Sequence, residues 1–272
     1  MIPVFLNNRF PIGRLALVLA LVLAAPAAGG QKTPKPEDVV ERAIMAYGSR
    51  AVLSTIQHNG VLRGRIKFIQ PGGVSEGKTT NKFIRKHKLD EDLLMLELEL
   101  PDTKFVMGFD GKQTWSVNNG EVQEPSADTV AAFRSAHTHG FEAVLRYKEN
   151  DGKLEYVGSK QFGPNNELDI IDLTLPDGNR TRYEISRRSG RIIYLDYEDK
   201  KAPDGTPVKY RLYFKDFRVI QNTLVPYEVQ VFRDGTLIEE RKLVEVAYSV
   251  HLEESAFKVE NANKPTEAVV KP

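Results

Sequence analysis

The chain has 272 residues, with 38 Lys plus Arg against 37 Asp plus Glu, and no cysteine. Its 41% apolar and 28% charged content is that of a folded globular protein and excludes a disordered or collagenous chain. A net charge of +1 argues against a general nucleic-acid binder, and zero cysteine excludes disulfides, thiolate metal sites, a cysteine nucleophile and a lipid-bearing cysteine at a lipoprotein signal.

Residues 1–30 read as a cleaved secretory signal. Arg9 and Arg14 supply a short basic region, Leu15–Ala28 is almost wholly apolar, and Ala25-Pro26-Ala27 offers a small-residue cleavage site. The apolar core is shorter than the roughly 20 residues a membrane span needs. The mature start is expected within 28–31, and loss of the two arginines takes the net charge from +1 to −1. The prediction is a soluble exported protein.

A first helix is predicted from Pro36, with Glu37 and Asp38 beside its positive end. Val40, Ala43, Ile44 and Tyr47 recur at helical spacing. Gly48 interrupts, and a second short helix runs from Ser49 to about Ile56. From Asn59 the period changes to two. Leu94, Leu96, Leu98 and Leu100 fall on one face of a strand and Glu97 and Glu99 on the other. Phe105, Met107 and Phe109 alternate likewise, as do Leu212 with Phe214 and Val229 with Val231. Asp-Gly at 110–111, 151–152, 177–178, 204–205 and 234–235, and Asn-Gly at 59–60 and 119–120, suit tight hairpins. About eleven strands are expected, without helical crossovers.

One insertion interrupts the meander. Val130, Phe133, Phe141, Val144 and Leu145 in Ser126–Tyr147 predict one helix, or two broken near Gly140. The fold class is therefore mainly β with a few helices. A single large curved antiparallel sheet over 31–259 is covered by N-terminal and mid-chain helices, and residues 260–272 form a disordered tail.

Gly73-Val74-Ser75-Glu76-Gly77 matches G-x-S-x-G, but a nucleophile elbow needs a helix after the serine, and strand-like sequence follows here. Gln70–Gly77 reads as a hairpin loop. His137 and His139 read as solvated histidines at a helix end. Asp196, Glu198 and Asp199 read as a charged outer face. The basic run Lys82–Lys88 reads as a solvated strand face or a contact for acidic headgroups. No metal site or cofactor is predicted. The strands carry abundant apolar and aromatic residues, which leaves two readings open: a filled core or an apolar cleft.

Asp110-Gly111-Lys112-Gln113-Thr114-Trp115, a D-G-K-x-x-W hairpin after the strand Phe105–Phe109, resembles the signature of LolA-like outer-membrane lipoprotein carriers, with LolB and the LppX proteins as relatives. The order of elements, the closing Glu254–Val259 segment with Phe257, and Ala43-Ile44-Met45-Ala46-Tyr47-Gly48-Ser49 are similar as well. The resemblance implies an incomplete β-barrel with a hydrophobic cavity under a helical lid, in the periplasm, with no catalytic role. Leu94, Leu96, Leu98, Phe105, Met107, Phe109 and Trp115 are the cavity candidates, although either strand face could be the concave one. A gating arginine of the family falls nearest Arg85, without the proline that follows it there. Lipid or lipoprotein acyl chains are the implied partners of a monomer, with an inner- or outer-membrane protein as a further partner. A regulatory module binding a membrane protein and a lipid hydrolase using Ser75 are the alternatives.

Overall fold

Pro36 fixes the first turn of helix α1 (Pro36–Tyr47), and Val39, Val40, Ala43, Ile44 and Tyr47 form its buried face. Gly48 ends it at φ 127°, a conformation costly for any side chain, and returns its N–H to the Ile44 and Met45 carbonyls. Helix α2 (Ser49–Ile56) follows. These details come from a computed structural model that describes residues 33–200 and 206–262. The expected signal segment, the Asp204-Gly205 turn and residues 263–272 lie outside the described residues.

Thirteen strands form one antiparallel sheet that does not close into a barrel. They are β1 (Asn59–Gln70), β2 (Gly73–Ile84), β3 (Leu93–Leu100), β4 (Thr103–Phe109), β5 (Thr114–Asn118), β6 (Glu121–Gln123), β7 (Lys153–Gln161), β8 (Glu167–Thr174), β9 (Arg180–Ser186), β10 (Ile192–Lys200), β11 (Pro207–Ile220), β12 (Thr223–Arg233) and β13 (Thr236–Tyr248). The spatial order is β6-β5-β4-β3-β2-β1-β13-β12-β11-β10-β9-β8-β7. The chain thus starts at the centre of the sheet, meanders to one edge, and crosses to the other through helices α3 (Ala127–Thr138) and α4 (Phe141–Leu145). It then meanders back until β13 pairs with β1.

Adjacent residues of α3 demonstrate the curvature. Arg134 stacks over the Phe109 ring of β4 at 3.8 Å, while Ser135 Oγ donates to the Asp199 carboxylate of β10 at 2.9 Å. In a flat sheet these strands, seven places apart, would lie about 34 Å from each other. The sheet must curl so that β4 and β10 approach, and α3 straps the gap.

The register sorts side chains onto two faces. The direct pairs Tyr183–Leu195–Leu212, Phe214–Val229–Arg241–Ile66–Gly77 and Phe83–Leu94–Phe109, joined where residues an even number apart on one strand share a side, put all of these on the inner face. On the β8–β12 side this face packs against α1 and α4 to form the largest apolar cluster, in which Tyr183 and Leu195 are 0% exposed. The outer face of β2–β5 carries Ile84, Met95, Val106, Trp115 and Val117 beneath Phe257 and Ala262.

Several local expectations need correction. The strand count is higher than about eleven, because β6 is three exposed residues, too short to show a period, and β8 buries side chains on both faces. Asn59-Gly60 opens β1 and is not a turn; a Cβ on Gly60 would come within 2.8 Å of the Tyr248 ring. Asn119-Gly120 and Asp234-Gly235 do form tight turns with positive φ at both residues. Only Pro71 and Gly72 form the turn within Gln70–Gly77, and Gly73 already belongs to β2. The insertion forms two helices, and Val259–Asn261 form one further turn before buried Ala262.

Candidate functional site

The inner face has two unlike halves. On the β8–β12 side, α1 and α4 cover Tyr183, Ile185 and Leu195, while Tyr197, Leu212 and Val229 stay half-buried. On the β2–β4 side, Leu94, Leu96, Leu98, Leu100 and Phe105 stay half-buried although Phe83, Met107 and Phe109 share their face. Met107 and Phe109 themselves are buried. Among the described residues the helix reaching over this side is α3, which has no fully buried residue; its Val130 and Phe133 are half-buried. An apolar stripe on a concave face without a packed cover is the kind of surface that binds apolar ligands. Leu94 to Leu100 spans about 20 Å of strand, longer than the roughly 15 Å of one leaflet of a bilayer's hydrocarbon core.

Six of the seven cavity candidates therefore lie on one face. Trp115 does not. It pairs with Gly108, while Met107 pairs with Ser116, so Trp115 points to the outer side. Its ring lies across Gly108, where a Cβ would sit 2.3 Å from it, and its indole N–H donates to the Phe257 carbonyl at 2.8 Å. A hairpin residue one position out of phase changes face, because strand side chains alternate. The Trp and Phe257 of the D-G-K-x-x-W resemblance thus form one buried contact that docks the C-terminal segment on the outer face.

The inner stripe ends, toward Leu94, at a set of polar ties between sheet and helices. Arg85, just after β2, is 9% exposed. Its Nε donates to Glu142 of α4 at 3.0 Å, Nη2 to Gln57 Oε1 at 2.8 Å, and Nη1 to the Leu53 carbonyl of α2 at 3.3 Å. Asp92, at the entry to β3, is equally central. Arg146 Nη1 donates to it at 2.5 Å, Lys86 N at 2.7 Å, and His137 Nε2 lies at 3.2 Å. Burial alone would raise the Asp92 carboxyl, but hydrogen bonds from His137 and Arg146 outweigh it and hold the group below the ordinary carboxylate range. Glu41 of α1 takes Arg50 of α2 and Lys148 beyond α4. The Arg50 hydrogen bond, against some desolvation and with help from Lys148, lowers Glu41 to about 2. A cavity of about 450 Å³ lies among these ties, lined by Arg50, Leu53, His58, Arg85, Glu142 and Leu145 among others.

The basic run is accordingly a solvated face only at its end, Lys86–Lys88, and not at Lys82 and Arg85. Lys82 is buried against Glu97, Arg85 against Glu142, Lys86 meets Glu254, and Lys88 meets Asp151. Nor is His139 solvated: it is buried, stacks on Tyr197 at 4.4 Å and shares a 2.6 Å hydrogen bond with Thr181. Ser75 lies within β2, paired with Phe68, without the strand-to-helix turn an elbow requires. Among the described residues no group of three or more His, Asp or Glu is placed to hold a metal ion, and no helix is long and apolar enough to cross a membrane. Gln57, Asp92 and Glu142 were invisible to sequence reasoning. They lie 28, 7 and 57 residues from Arg85 without a motif to join them.

An open, curled antiparallel sheet with helices strapped over one face defines the class, and solved structures share it. A DUF1329 family protein from Desulfovibrio piger matches with TM-score 0.56 at 14% identity, over 84% of this chain and 99% of its own. A domain titled as a proposed outer membrane lipoprotein-sorting protein from Vibrio parahaemolyticus matches with TM-score 0.56 at 11% identity and the same coverage. The LolA superfamily protein NE2245 from Nitrosomonas europaea matches with TM-score 0.57 at 8% identity, again over 84% and 99%. The chain has the LolA-like fold. No family model and no curated protein matches its sequence.

Proposed function

We propose that the protein is a periplasmic carrier that holds a lipid, or the acyl chains of a lipoprotein, along the inner stripe of β2–β4. The observation behind this reading is the asymmetry of one continuous face, packed to zero exposure at Tyr183, Ile185 and Leu195 under the helices and left half-buried along Leu94–Leu100 on the other side. The fold neighbours support it, two of them titled for lipoprotein sorting or the LolA superfamily. Each methylene removed from water contributes about 0.8 kcal/mol, so ten buried methylenes give about 8 kcal/mol. The contact is non-directional and carries no chemistry, which suits a carrier and not an enzyme.

Arg85 is the gate. It joins the end of β2 to both α2 and α4, so that movement of those helices has to break or carry a charged, nearly buried tie. Residues 1–30 are removed on export, 31–259 form the one working domain, and the mature chain is an unanchored monomer that meets membrane-protein partners at loading or release. Titration with a fluorescent fatty acid tests the reading. Wild type should bind the probe, and Leu96→Asp with Leu98→Asp should weaken it at least about tenfold, the effect of losing a few methylene contacts, while the unfolding midpoint moves little. Equal binding by both proteins would end the proposal.

A further inference from the structure

The inner face is not apolar throughout. Level with the Leu98–Leu100 end of the stripe and three strands to its side, β13 places Glu239 and Arg241 on that face as an ion pair. Their direct cross-strand neighbours are apolar on both sides: Phe68 and Val231 flank Glu239, and Ile66 and Val229 flank Arg241. Glu239 is 12% exposed and Arg241 48%. Water thus reaches the guanidinium, yet desolvation by surrounding protein is the largest influence on its ionisation, ahead of Glu239. Desolvation works against the charge, and the attraction and hydrogen bond of Glu239 together outweigh it, so the pair is a half-open charge on the concave face of the curled sheet. Tyr197 of β10, on the same face, responds to both charges. It is three strands from β13, about 14 Å away in a flat sheet.

Placing a charged pair among apolar neighbours costs desolvation energy that its mutual attraction barely offsets. It adds nothing to the packing of α1 or α4, which lie over β8–β12. We propose that Arg241 and Glu239 are the headgroup subsite of this face and take the phosphate and the ammonium of a zwitterionic, amine-bearing phospholipid. The inference rests on the carrier reading above and narrows its cargo to a phospholipid, as opposed to the lipidated end of a protein. A guanidinium grips a phosphate with two parallel hydrogen bonds, and a carboxylate 12% exposed is well placed to accept from an ammonium. A phosphoglycerol or fatty-acid headgroup would use Arg241 but bring no cation to Glu239. The acyl chains of the same molecule would then run along Leu100, Leu98, Leu96 and Leu94 toward the Arg85 ties.

The test uses the full chain without detergent and three competitors with identical acyl chains, phosphatidylethanolamine, phosphatidylglycerol and diacylglycerol, each displacing a fluorescent fatty acid. Phosphatidylethanolamine should bind at least about tenfold more tightly than the other two, the effect of one charge-assisted hydrogen bond. Arg241→Met with Glu239→Met should leave diacylglycerol binding intact and bring the three together. The near-isosteric Glu239→Gln, which preserves the fold, should bring phosphatidylethanolamine and phosphatidylglycerol within a few fold of each other. Equal affinities in wild type, or a preference that survives both variants, would overturn the headgroup subsite and leave the carrier reading standing. If none of the three competes and the probe itself fails to bind, the carrier reading falls and the subsite with it.

Discussion

The two halves of the inner face share one sheet and one alternation of apolar residues, yet they do different things. Over β8–β12, α1 and α4 press Val40, Ile44 and Val144 onto Tyr183, Ile185 and Leu195, all six of which are buried, while Tyr197, Leu212 and Val229 at its margin stay half-buried. Over β2–β4, the stripe Leu94–Leu100 meets only the strap α3, whose own contacts run to the rims at Phe109, Asp90 and Asp199. The same pattern therefore builds a packed core on one side and a half-buried apolar stripe on the other. What separates them is the location of two helices, not the strands.

Mutation of the filled half should cost most. Leu195→Ala and Tyr183→Ala each remove a fully buried side chain and should destabilise by about 3–5 kcal/mol, read as a fall in the denaturant midpoint, with bound lipid lost only through unfolding. Trp115→Ala should cost nearly as much, about 3 kcal/mol, and detach the C-terminal segment, yet it should leave acyl-probe affinity in the folded fraction unchanged because the ring faces outward. A drop in affinity at full folding would place Trp115 back in the site. Removing the Arg85 tie by Arg85→Ala strands Glu142 and should cost about 3 kcal/mol. Hydrogen exchange in α2 and α4 should rise with it, and acyl probe should leave faster in stopped flow.

Acid should loosen the ties next. Glu41 and Asp92 both have lowered carboxyl pKa values in the folded protein. A lowered folded value means a stabilising contribution that is complete above the unfolded value and lost as pH falls through the folded one. For Glu41 that window runs from 4.5 down to about 2, so the thermal midpoint should fall across it and α1–α2–α4 should loosen. Smallest is Leu96→Ala on the uncovered half. It should change stability by no more than about 1 kcal/mol, a fraction of full side-chain burial, and still weaken probe binding measurably. That inversion, large stability effects without binding on one side and binding effects without stability on the other, is the comparison in its sharpest form.

The elements were legible because each is written locally. The apolar period in 40–47, the Gly48 stop, the Gly140 break and the Asn119-Gly120 and Asp234-Gly235 turns need only neighbours in sequence. Faces were harder. Leu94, Leu96 and Leu98 were grouped correctly by parity, but Trp115 sits across a turn from Phe109, and the turn decides its phase. The lysines and arginines of 82–88 looked solvated because their partners, Glu97, Glu142, Glu254 and Asp151, come from four separate parts of the chain. Glu239 and Arg241 look like any surface pair in a polar strand until the register sets them beside Phe68 and Ile66.

Native mass spectrometry of the chain purified without detergent tests the central claim most directly. The account predicts a one-to-one adduct of lipid mass on wild type that is absent from a folded variant carrying Leu96→Asp and Leu98→Asp. A wild-type protein that carries the bare chain mass alone after exposure to lipid, or an adduct that survives those two substitutions, would contradict it.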